Sequence, residues 1–199
     1  MDSFLAVFFS LCCAVTFGAF SVIARKALPY ATAYANSVIA LAVGLVFVGG
    51  VSVFVSPWSR LGGEAATWFL AAGLISPVIS RYFLYRGIQH VGVGRTMPLV
   101  AITPFFSAVL AFLWLGERPG AGIYIATIFV VAGSVLVSLR SEGESAWRRI
   151  HLLIPVTHAL LVSITAGMRR QGLILFPDPF IATTISFLAS FPVAFLIVF

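Results

Sequence analysis

Seven long apolar runs, separated by charged or turn-forming residues, organise the chain. They cover about Phe4–Ala24, Thr32–Val55, Ala66–Ile88, Met97–Leu115, Ile123–Leu139, Leu152–Met168 and Pro179–Phe199. Each run holds roughly 17–24 residues, enough as helix to cross a hydrocarbon core of about 30 Å. The runs are continuously apolar and do not alternate, so they predict helices and not the strands of a membrane barrel. Backbone in lipid must satisfy its own polar groups, and a helix does so within each segment. The pattern predicts an all-α polytopic membrane protein with seven transmembrane helices.

Composition agrees. The 199 residues are 61% hydrophobic and 9% charged, against about 45–50% and about 25% for an ordinary soluble domain. Disordered chains are poor in apolar residues, so disorder is excluded as well. Of the 12 basic and 6 acidic side chains, only Arg81 and Arg86 fall inside a run. Trp58, Trp68, Trp114 and Trp147 lie at or near run ends, where indole rings favour the interface. The net charge of +6 comes mostly from basic residues at run ends, which anchor to headgroups. The lipid bilayer is therefore the expected partner, and no nucleic acid is.

The connections are too short for a soluble domain or a nucleotide-binding loop. No nucleophile–base pair and no metal-ligating cluster is evident, so neither an enzyme nor a cofactor is expected. Cys12 and Cys13 are neighbours within the first run and form no disulfide framework. Met1-Asp2-Ser3 lacks the basic start of a cleaved signal. A retinal protein needs a lysine in its last helix, whereas the only lysine is Lys26. A seven-helix membrane receptor or sensor remains as the alternative architecture.

Weak internal repetition changes the picture. Ser21-Val-Ile-Ala-Arg25-Lys26 and Thr165-Ala-Gly-Met-Arg169-Arg170 close the first and sixth runs. Segments beginning Pro29-Tyr-Ala-Thr and Pro179-Phe-Ile-Ala then open the second and seventh. The repeat unit is five helices. Five is odd, so the second copy enters from the opposite side, and inverted repeats of this kind mark transporters with a midplane site.

Gly87-Ile-Gln-His-Val-Gly-Val-Gly94-Arg-Thr-Met-Pro98, Thr103-Pro104-Phe-Phe-Ser, Leu115-Gly116-Glu117-Arg-Pro-Gly120 and Ala132-Gly133 follow one another through runs three to five. This stretch resembles the EamA-like domain of the drug/metabolite transporter superfamily. The resemblance implies two five-helix repeats, a ten-helix fold with cytoplasmic termini, and a secondary carrier that commonly exports small metabolites. Residues 1–140 would form the first repeat, 141–151 the loop between repeats, and 152–199 the first two helices of an incomplete second repeat. If the chain is naturally short, two copies are expected to pair as a homodimer.

The substrate is expected to be a small molecule, and seven residues are candidates for binding it. Arg81 lies well inside the third run, where an arginine costs about 2.5–3.5 kcal/mol on insertion scales and marks a site. It reads as a substrate-binding cation or as a guanidinium snorkelling to the interface. Tyr85 is one turn on and shares its face. His158, seven residues into the sixth run, reads as a proton carrier or as an interhelical hydrogen bond. Pro98 and Pro104 interrupt the fourth run and free backbone carbonyls, which face either a cavity or protein. Thr103 reads as a ligand group or as a bond back to its own helix. Asn36 stands where the family often carries arginine, which suggests that the basic group has moved from the second helix to Arg81. Arg86, near a run end, reads as a snorkelling side chain, and Glu117 as a local capping group. Ala40 with Gly44, and Gly122 with Ala126, read as small-residue packing pairs.

No acidic residue lies inside any run. Small multidrug carriers of the superfamily use a first-helix glutamate for proton exchange, which this chain lacks. Arg81 instead points to an anionic or zwitterionic substrate. Orientation is set against two signals. Arg25, Lys26, Arg95, Arg140, Arg148 and Arg149 gather on one side, and Arg60, Arg118, Arg169 and Arg170 on the other. The positive-inside rule places the six in the cytoplasm and the N-terminus outside; the family resemblance places the N-terminus inside, and we adopt that orientation, in a cell membrane.

Overall fold

A computed structural model describes residues 2–116, 120–140 and 149–196. Glu117, Trp147, most of the loop between repeats and the last three residues lie outside them. Among the described residues the architecture is entirely helical, without strands. The first span is one helix, α1 (Asp2–Ala27). The second comprises α2 (Ala33–Gly44), a π-helical turn at Leu45–Gly49, and α3 (Gly50–Val55). The third is divided into α4 (Gly63–Ile75) and α5 (Val78–Val91). The fourth is divided into α6 (Val93–Val100) and α7 (Thr103–Leu115). The remaining three are α8 (Ala121–Arg140), α9 (Leu153–Leu175) and α10 (Pro179–Leu196). Five segments are long and apolar enough to cross a membrane, and the apolar stretches 122–134 and 179–194 are shorter. The chain is a multi-pass integral membrane protein.

Local chemistry fixes the ends. Thr32 caps α2 by accepting the Ala35 N–H at 3.1 Å. Asp178 caps α10 by accepting the Ile181 N–H at 2.9 Å, and the Ser56 hydroxyl donates to the same oxygen at 3.1 Å. Gly92 has φ +82° and alone separates α5 from α6, a conformation that side chains with a Cβ rarely adopt. The structure thereby corrects two boundaries. Residues 89–96 are helical on both sides of Gly92, where the sequence suggests a connection. Helix α9 runs past Met168 to Leu175, so Arg169 and Arg170 lie inside a helix and not at its end. The apolar residues Leu173–Phe176 carry the run onward.

The core lies where α4, α5, α9 and α10 pack, with α2 against α5. Ala65 and Phe69 of α4 pack with Ile181, Ala182 and Ile185 of α10. Leu41 and Val78 pack with Phe187 and Ala194. Most side chains of α1 and α8 stay exposed, consistent with lipid-facing surfaces. Small residues set the closest approaches. A Cβ at Gly73 would press on the Ser186 backbone and lie 2.7 Å from the Ala189 Cβ. One at Gly172 would strike the Phe69 ring, and one at Gly44 would lie 2.6 Å from Phe187. Gly44 is thus a packing residue. At Gly122 an added Cβ meets nothing within 4 Å, and Ala126 is exposed, so no helix of the described residues packs on that pair.

Serines stitch the same interface. Ser186 donates to the Phe69 carbonyl at 3.0 Å and Ser190 to the Gly73 carbonyl at 2.5 Å. Both also lie within reach of their own helix, at the Ala182 and Ser186 carbonyls. Ser163 of α9 reaches the Thr103 carbonyl at 3.0 Å and the Ala159 carbonyl at 2.8 Å. Tyr34 donates to the Ala194 carbonyl, joining α2 to α10. Of the interfacial tryptophans, Trp68 and Trp114 pair with ring centroids 5.9 Å apart, and Trp58 donates to the Ser52 carbonyl at 3.0 Å.

Candidate functional site

Both divided spans break at prolines. In a continuous third span the Pro77 nitrogen would face the Gly73 carbonyl, but proline has no N–H to give. Ser190 supplies that hydrogen bond from α10. In the fourth span Pro104 leaves the Val100 carbonyl unpaired in the same way. The Thr103 hydroxyl fills it at 2.5 Å. Each break is thus stabilised by a hydroxyl, which is how interrupted helices persist at membrane depth.

The two breaks border one cavity of about 1000 Å³. Ser76, Pro77, Ser80, Arg81 and Leu84 form one side, and Val100 and Thr103 another. α9 contributes His158, Val162 and Arg169, and α10 contributes Thr183, Ser186 and Phe187. α1 adds an apolar wall with Phe9, Phe17 and Phe20, together with Cys12, Cys13 and Thr16. Three lining side chains can carry positive charge, and no described lining residue is acidic.

Arg81 is half-buried, with its guanidinium carbon 5.8 Å from the Phe187 ring centroid. That distance permits a cation–π contact. Its Nη1 is buried without a hydrogen-bond partner. A buried donor left unpaired is costly, more so when it belongs to a cation. The His158 Nδ1 lies 2.6 Å from the Ser80 carbonyl oxygen. A carbonyl only accepts, so Nδ1 carries the proton. His158 thereby ties α9 to α5 next to Arg81, the interhelical use that its position in an apolar run suggests.

The structure brings Arg81, Thr103 and His158 together at the cavity and leaves the other four candidates outside its lining. Tyr85 is buried among Ala24, Leu84 and Ile88, with its ring 6.2 Å from Phe20. Asn36 sits on α2, its Nδ2 buried without a partner. Pro98 lies inside α6, and Pro104 is exposed in the first turn of α7. Sequence reasoning missed Arg169 and Thr183, whose side chains meet at 2.6 Å within the lining. The arginine doublet resembles an interfacial anchor. The signal against that reading is the apolar sequence that continues beyond it.

A profile described as the EamA-like transporter family matches residues 4–139. An uncharacterized transporter, YdeK, of Bacillus subtilis (strain 168) is 32% identical over 100 residues. That alignment takes in 48% of this chain and 35% of the relative, so it spans about a third of the relative's length. No solved structure matches the chain. With its first five spans matched by the profile, the chain belongs to the EamA-like transporter family.

Proposed function

We propose that the protein is a secondary transporter, without enzymatic activity, that exports a small anionic or zwitterionic metabolite by alternating access. Residues 1–140 act as the first five-helix repeat and 152–199 as the start of a second, inverted one. The substrate occupies the cavity between the two divided spans. The observation that carries this reading is a cavity lined by Arg81 with no acidic residue among its described lining. A bound carboxylate or phosphate would give the guanidinium an ionic partner there. Helix interruptions beside the cavity accord with substrate sites in transporters built from inverted repeats. The protein resides in a cell membrane with its N-terminus cytoplasmic, an orientation that a terminal reporter fusion tests.

Metabolite profiling of cells with and without the protein identifies the substrate: one or more acidic metabolites accumulate inside cells that lack it. An unchanged profile counts against export. The cavity itself has a built-in reporter. Cys12 and Cys13 are the only two cysteines of the chain, and both line it. In purified protein, the identified substrate should slow maleimide labelling of these thiols severalfold. Labelling at the same rate with saturating substrate would place the substrate elsewhere.

A further inference from the structure

The cavity holds a second cationic group, and its placement relative to Arg81 limits what the ligand looks like. Arg169 projects from α9 and donates through Nη2 to the Thr183 hydroxyl of α10 at 2.6 Å. Arg81 projects from α5 over the Phe187 ring of the same helix. Thr183 and Phe187 are four residues apart, so they share one face of α10. The α10 residues that hold the two guanidinium groups therefore lie about 6 Å apart along the helix axis, four residues at about 1.5 Å each. Both line the same cavity, and no described lining residue is acidic. Thr183 is a neutral partner whose own hydroxyl hydrogen goes to the Pro179 carbonyl at 2.8 Å. It orients Arg169 without neutralising it.

We propose that Arg169 and Arg81 form a two-point anion site, and that the ligand is a dianion with its two acid groups separated by a short chain, such as a dicarboxylate of four to six carbons. The inference rests on the transport reading above and deepens it. A monoanion neutralises one guanidinium and leaves the other as an uncompensated cation in the cavity. A dianion neutralises both, and bidentate pairing with guanidinium favours a carboxylate at each of its ends.

Protection of Cys12 and Cys13 from maleimide provides the test, with succinate, glutarate, butyrate and inorganic phosphate as probes on the purified full chain. Succinate or glutarate should protect at concentrations at least tenfold below those needed for butyrate or phosphate. Arg169→Gln should weaken protection by the dicarboxylate by about 10–100-fold, the loss expected for one charge-assisted contact, and leave butyrate within about threefold. Thr183→Val keeps both charges but releases the anchor, so it should weaken the dicarboxylate less than Arg169→Gln does. Arg169→Lys should restore part of the affinity and shows that charge, and not folding, is being read. Butyrate as strong as succinate, or dicarboxylate protection unaffected by Arg169→Gln, overturns the two-point site while leaving an anion carrier intact. Protection by a neutral or cationic metabolite and by none of these anions overturns the anion reading itself.

Discussion

Replacing Arg81 by glutamine should reduce transport of the identified acidic substrate by about 10–150-fold in apparent affinity. This corresponds to losing a charge-assisted contact of about 1.5–3 kcal/mol. The same substitution should leave the folded protein as stable as before, or more so. Arg81 keeps a buried nitrogen without a hydrogen-bond partner and rests mainly on the Phe187 ring. Such a group opposes folding more than it supports it, because a desolvated cation is costly when unpaired. Binding and stability should therefore move apart. Uptake into vesicles measures the first, and thermal unfolding in detergent the second. If Arg81→Gln transports normally, the guanidinium has no part in binding. If it fails to fold, its role is structural, as a snorkelling or helix-joining residue would be.

The second large effect is expected at Gly73. Gly73→Leu should abolish the folded state, and Gly73→Ala should cost about 1–3 kcal/mol, the usual penalty of overpacking. At Gly73, α4 packs on α10 with no space for a Cβ against the Ser186 backbone. The Gly73 carbonyl is also the one that Pro77 leaves without an N–H and Ser190 fills. A side chain here separates the helices and orphans that carbonyl together. Gly18 of α1 is the control, because a Cβ there meets nothing within 4 Å. The fraction of monodisperse protein after detergent extraction reads both variants. Gly73→Leu behaving like Gly18→Ala would show that the α4–α10 contact is not the framework of the bundle.

The helical architecture was legible because lipid turns hydropathy into segment boundaries. Its finer grain was legible only in part. Pro104 marks the break in the fourth span openly. Pro77 gives the same signal midway through the run Ala66–Ile88, yet an apolar run hides a break when only its ends are sought. Arg81 stood out because it is a lone charge in such a run. Arg169 did not, because beside Arg170 it imitates a headgroup anchor; which of the two turns inward depends on where Thr183 of α10 comes to rest. Tyr85 shows the limit of helical spacing. It shares a helix face with Arg81, yet its ring packs with Ala24, Leu84, Ile88 and Phe20, partners that spacing along one helix does not show.

Ser163, Ser186 and Ser190 are each placed between two carbonyls, one on a neighbouring helix and one a turn back on their own. A hydroxyl has a single hydrogen and must divide it or choose. A helix still alone in the bilayer can keep that hydrogen at home, so it enters the membrane with no stranded donor. Once packed, the same hydrogen can swing outward, and interhelical bonds of this sort are worth only about 0.6–2 kcal/mol each in a membrane. The seams of α10 with α4, and of α9 with the fourth span, are thus held by reversible fasteners. When they release, the serine returns to its own helix and the carbonyl across the seam bears the loss alone. Such a fastener opens and re-forms at little cost, whereas the close packing of Gly73 on α10 and of Gly172 on Phe69 does not, so the hydroxyls add direction to seams that packing holds.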